Sequence, residues 1–237
     1  MAEKHNSGRT AKMSSAIKRI IIICEGPTEK EFCTDVLQPW FLKKNIFIQT
    51  PLIKKSDGGI VPWDTLKKQI ESHLKQDTVA WLTLLIDYYG IPPKFKYPKW
   101  QEAHKEPNKT KRMLILENGM KEAIPDSLRN RFIPYLQLHE FEGILFSNID
   151  VFTRNFKNEE FVEFENFRKI FETYPNPENI NDRPEYAPSK RLLYHINDYN
   201  KVVYGATLAQ EIGLQQIRNK CPRFNNWVEK LEAVICQ

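Results

Sequence analysis

The run Ile17-Lys18-Arg19-Ile20-Ile21-Ile22-Ile23-Cys24-Glu25-Gly26-Pro27-Thr28-Glu29 decides how the rest of the chain is read. Its isoleucines are stiff at χ1 and leave no room for a helical period, so residues 17–24 read as a strand buried on both faces. Glu25-Gly26-Pro27 then breaks that strand. Thr28 can cap a helix, with Glu31 three residues on completing a capping box, which predicts a helix over about 29–43. Phe32, Val36, Leu37 and Trp40 fall near one side of it, and Pro39 bends or ends it.

Outward from there the same alternation continues. A second strand is expected over 47–53, closed by the turn Ser56-Asp57-Gly58-Gly59. An amphipathic helix follows over 63–75, carried by Leu66, Ile70 and Leu74. A third, almost wholly apolar strand over 78–86 stops at Asp87-Tyr88-Tyr89-Gly90. After a Pro- and Lys-rich excursion come a helix over 113–124 and a strand over 132–138, which stops at His139-Glu140-Phe141-Glu142. Strand alternating with helix predicts an α/β fold, a mainly parallel sheet flanked by helices. The expected organisation is a disordered polar tail over 1–15, an α/β domain over 16–148, and a mostly helical C-terminal extension over 149–237 packed on it.

At 237 residues, 41% hydrophobic and 12% aromatic, the chain can build a core of ordinary size. No apolar run approaches the ~18 residues a membrane helix requires, and the run 20–24 is too short for a signal sequence; no membrane role is expected. Cys24, Cys33, Cys221 and Cys236 show neither metal-ligand spacing nor a partnering His cluster. A zinc site and a disulfide framework are both disfavoured, and a reducing cytoplasm is the expected location. The net charge of +5 permits contact with nucleic acid without demanding it. Its distribution says more: residues 92–112 carry seven Lys or Arg against Glu102 and Glu106.

The acids sit where chemistry is usually found. Ligands of open α/β sheets bind at the carboxyl ends of strands, and Glu25, Asp87 and Glu140 each fall just past one. Three carboxylates on one sheet edge repel unless a cation joins them, and hard oxygen donors without His or Cys favour Mg²⁺ or Mn²⁺. Glu29, one helical turn beyond Glu25, can face the same spot. Glu142 is either a further ligand or points away. Against this stands ordinary capping: Glu29 and Glu31 favour a helix N-terminus, and a lone acid after a strand is commonly a turn residue. His139 reads as a structural hydrogen-bonding residue.

Three segments resemble the Toprim fold of primases, topoisomerases and OLD-type nucleases. They are Ile-Ile-Ile-Cys-Glu-Gly-Pro-Thr-Glu (21–29), Leu-Leu-Ile-Asp-Tyr-Tyr-Gly (84–90) and Leu-His-Glu-Phe-Glu-Gly-Ile-Leu-Phe (138–146). Over about 18–235 the chain more closely resembles a bacterial Toprim-like family of unknown function. The further hallmarks are Pro-Glu-Asn-Ile-Asn-Asp (177–182), Ala-Pro-Ser-Lys-Arg (187–191) and the stretch from Ile212 through Cys-Pro-Arg-Phe (221–224). The resemblance implies a metal-dependent nuclease acting in phage defence beside an ABC-type ATPase. Tyr89 departs from the pattern, standing where the second acid of Asp-x-Asp belongs. Either Glu140 or Glu142 could replace that acid, and a one-metal or an inactive site also stays open.

In the enzymatic reading Glu25, Glu29 and Asp87 hold the cation, and Glu140 is a further ligand or the base that activates water. Positive charge for the developing oxyanion comes from Lys190, which matches the downstream lysine of OLD-like enzymes, with Arg191 beside it; capping of a helix start is the alternative for both. Lys94, Lys96, Tyr97, Lys99 and Trp100 interleave charge with aromatic rings, the pattern that holds unpaired nucleic acid, or else form a stiffened surface loop. Arg218 and Arg223 are further nucleic-acid candidates. No Walker motif is present, so ATP binding by that route is excluded. The competing expectation is an inactive, Toprim-derived regulatory subunit of an ATPase complex, and a homo-oligomer stays open.

Overall fold

Strand β1 (Lys18–Cys24) pairs on one side with β2 (Ile46–Gln49) and on the other with β3 (Trp81–Leu85), which in turn pairs with β4 (Phe132–Ile133). Every pairing is parallel, and the order is β2-β1-β3-β4. The structure, a computed structural model, describes residues 17–54, 59–180 and 183–236. The expected tail and most of the expected turn at 56–59 lie outside the described residues, as does the end of the 177–182 motif.

Alternation along β1 separates two cores. Ile20, Ile22 and Cys24 face one layer and Ile21 and Ile23 the other, as the period of a strand requires. The second layer holds α2 (Trp63–Gln76) and α4 (Lys109–Glu122), with the short α3 (Trp100–Lys105) packed on α4. The first layer holds α1 (residues 27–42) together with apolar side chains from residues 141–234. Leu128 of α5 (Asp126–Arg129) joins the second core, and the later elements are α6 (Ile149–Asn155), α7 (Phe164–Thr173), α8 (Pro188–His195), α9 (Lys201–Ile212), α10 (Leu214–Lys220) and α11 (Pro222–Glu232). The α/β fold with a parallel sheet flanked by helices is therefore as the sequence predicts.

Local details differ, for identifiable reasons. The cap of α1 is Gly26, and Glu29 is its N3 residue, taking the Gly26 N–H at 2.9 Å; Thr28 and Glu31 do not form the box. Within α1 the segment Cys33–Leu37 is π-helical, directly before Pro39. Proline has no N–H and crowds the carbonyl four residues back, and the wider turn accommodates it. The strand expected over 132–138 pairs only at its first two residues, then again where Gln137 bridges Asp87; Pro134 has no N–H to give the ladder. Helix α3 stands where an irregular excursion was expected.

Candidate functional site

Parallel pairing carries the ends of β1 and β3 to one edge, because Cys24 lies opposite Leu85. Glu25 follows Cys24 directly, and Asp87 lies two residues beyond Leu85. The Asp87 N–H donates to Glu25 Oε2 at 2.8 Å, so the two carboxylates share one corner. Glu29 reaches it from the first turn of α1 and is 3% exposed. Glu142 comes from the 3₁₀ run Phe141–Ser147, which begins after His139 turns the chain with a left-handed φ of 67°. The Phe141 ring packs on Phe32 at 5.1 Å, anchoring this run in the first core, and Glu142 is wholly buried.

Burial is the largest force on Glu25, Asp87 and Glu142, and repulsion from neighbouring acids adds to it. Glu25 is pushed up to about 7 by burial and by Glu29 and Glu142, against the Asp87 N–H and Lys201. Asp87 is held well above the usual carboxylate range by burial, then by Glu25, Glu29 and Glu142. Glu142 is raised by burial in spite of Lys201. Among the described residues, Asp87 Oδ1 and Glu142 Oε2 are buried and accept no hydrogen bond. Buried oxygens left unsatisfied in this way need an explanation.

Lys201 is the residue that sequence reasoning missed. Its Nζ lies 2.8 Å from Glu142 Oε1. Burial opposes its charge, but Glu142 and Asp87 outweigh that and hold the ammonium above its ordinary range. It stands at the start of α9, whose cap Asn200 accepts the Val202 and Val203 N–H groups. One turn on, Gly205 lets α9 close against α1: a Cβ there would meet Thr28 Cγ2 at 2.6 Å. Lys201 and Gly205, four apart, share a helix face.

A family model described as "Domain of unknown function (DUF4276)" matches residues 24–232. The chain belongs to that family. The DUF4276 match spans the whole acidic group and Lys201. No curated protein and no solved structure matches the chain. Among the described residues no helix is long and apolar enough to cross a membrane.

The other expected site residues of this DUF4276 chain lie apart from that corner or are otherwise engaged. Glu140 Oε2 accepts the Ser189 N–H at 2.9 Å and so serves the first turn of α8. Lys190 is exposed on that same turn. Arg191 donates to Tyr186 O and lies over the rings of Tyr174 and Tyr186. Three nucleic-acid candidates need correction. Arg223 is buried against Glu117 at 2.7 Å, Arg218 is paired with Glu232 and stacked on Trp40, and Tyr97 is 2% exposed with its hydroxyl on Val61 O. Lys94, Lys96 and Lys99 are exposed, Lys99 in an ion pair with Glu122, and Trp100 is half-buried.

The donor chemistry fits a hard divalent cation: four carboxylates, no thiol or imidazole, and unsatisfied buried oxygens on Asp87 and Glu142. Among the described residues no three such side chains are gathered as a ready-made metal centre. Lys201 supplies positive charge at that corner instead.

Proposed function

We propose that this protein is a Mg²⁺- or Mn²⁺-dependent phosphodiesterase acting on nucleic acid, with a site of Toprim/OLD kind. One observation carries the reading: four carboxylates from three segments lie near enough to perturb one another, and two of their buried oxygens have no donor. Glu25, Glu29, Asp87 and Glu142 would hold the cation, which when bound polarises a phosphate and acidifies water. Without a cation Glu25 is raised to about 7 by burial and its acidic neighbours, and positive charge at this corner favours its ionised form. Lys201 supplies fixed positive charge for an anionic substrate. An ATPase partner and a defence role belong to the same proposal through the Toprim/OLD resemblance.

The test is incubation of the protein with Mn²⁺ or Mg²⁺ and plasmid, single-stranded DNA or transfer RNA, beside Glu25→Gln. Cleavage that EDTA and the variant both abolish supports the enzyme. The second reading, an inactive regulatory subunit, draws on Lys201 as an internal counter-ion and on Tyr89 in place of an acid. It is favoured if every substrate survives while a partner ATPase still binds.

A further inference from the structure

The segment after Asp87 is pinned rather than loose. The Tyr88 and Tyr89 N–H groups donate to Gln137 O at 2.9 Å and His139 O at 3.0 Å, extending the sheet edge past the acids. Tyr88 Oη lies 3.2 Å from His104 Nε2, and His104 Nδ1 lies 2.8 Å from Trp100 O. The Trp100 and His104 rings are 4.2 Å apart, with Tyr88 6.1 Å from Trp100. Together with Tyr89, which is 38% exposed, they border an open cleft of about 370 Å³. Trp100 and Pro93 also wall a neighbouring hollow of about 740 Å³, whose rim carries Lys96, Lys99 and Lys105 against the one carboxylate of Glu102. Rings lie on one side of Trp100 and ammonium groups on the other.

Exposed aromatic faces next to ammonium groups suit a strand whose bases are free to stack and whose phosphates are bare. A duplex hides its base faces within its own stack, and an unpaired strand presents them. We infer that this cleft binds an unpaired nucleic-acid strand, with bases stacked on Tyr89, Trp100 and His104 and the backbone on Lys96 and Lys105. The inference rests on the proposed phosphodiesterase and names its substrate as single-stranded, led to Asp87 by the pinned segment. Tyr97 and Lys99 play no part: the first is buried and the second is held by Glu122.

The experiment is fluorescence anisotropy with a labelled short oligothymidylate and a duplex of equal length, in EDTA, on the Glu25→Gln protein. Under these conditions nothing is cleaved and no cation is needed. The oligothymidylate is expected to bind at least tenfold more tightly than the duplex. Tyr89→Ala and Trp100→Leu should each weaken it by about tenfold or more, the loss of one stacked base. Lys96→Ala and Lys105→Ala should each lower the salt slope by about one. Tyr89 is at the surface, so its truncation leaves the fold intact even if the Trp100 variant melts early. Equal or tighter duplex binding, no binding at all, or unchanged affinity in Tyr89→Ala overturns the inference. Retained single-strand binding without cleavage by the wild-type protein in Mn²⁺ removes the phosphodiesterase alone.

Discussion

Beneath α11, Glu117 and Glu178 share Arg223; at the ends of β1 and β3, Glu25, Glu29, Asp87 and Glu142 share Lys201. Both groups are buried, yet they are built differently. Glu178 takes the Arg223 and Phe224 N–H groups, one on each oxygen, and so caps α11. Glu117 Oε1 takes the Leu136 N–H and Arg223 Nη2. The other group sets four acids against one ammonium and leaves Asp87 Oδ1 without a donor. Beneath α11, Arg223 Nε is left without an acceptor, but each carboxylate of that group meets a cation or paired N–H donors, which is how a buried charge is tolerated. A group of charges kept together without such partners is better explained by something it binds.

The largest expected difference between the two comes from removing one member of each. Arg223→Met leaves Glu117 as a buried, unpaired charge and should cost about 3–5 kcal/mol in a denaturant melt. Burial and its acidic neighbours already drive Asp87 toward its neutral form, so Asp87→Asn removes little and stability should hold or rise. Equal losses in both variants would erase the distinction. Gly205→Ala comes next. The added carbon meets Thr28 Cγ2, and overpacking of this kind costs roughly 1–3 kcal/mol, less up to about 1 kcal/mol from the better helix propensity of alanine. Thr28→Ser in the same chain should recover part of the loss.

Acidity sharpens the comparison further. Glu25 keeps its proton to about pH 7 when folded but ionises near 4.5 when unfolded. The folded state therefore binds more protons between those values, and stability falls as pH rises through that window, by on the order of 2 kcal/mol. Thermal midpoints measured in EDTA should decline between pH 4.5 and 7 and level off above. In Glu25→Gln the decline should flatten. An unchanged profile in the variant would place the titrating group elsewhere.

What could be read from the sequence follows the same division. Glu25 and Asp87 were legible because each sits just past a buried strand, and a parallel sheet delivers such positions to one edge. Glu140 and Glu142 were not separable, since two residues apart they differ only in where the turn after His139 sends them. Glu140 went to the amide of Ser189, and Glu142 into the acid group. Lys201 was hidden because its place depends on α9 folding back 176 residues after Glu25, through a contact that only Gly205 permits. Arg223 and Tyr97 looked like free binding groups because burial by distant helices leaves no local mark.

The most direct test of a cation site in the acid group is calorimetric titration of Mn²⁺ into the protein and into Asp87→Asn. Saturable binding that Asp87→Asn abolishes, with Arg223→Lys left unaffected, is the expected result. No binding to the wild-type protein, or equal binding to Asp87→Asn, would contradict it and leave Lys201 as the resident charge of a site with no cation to hold.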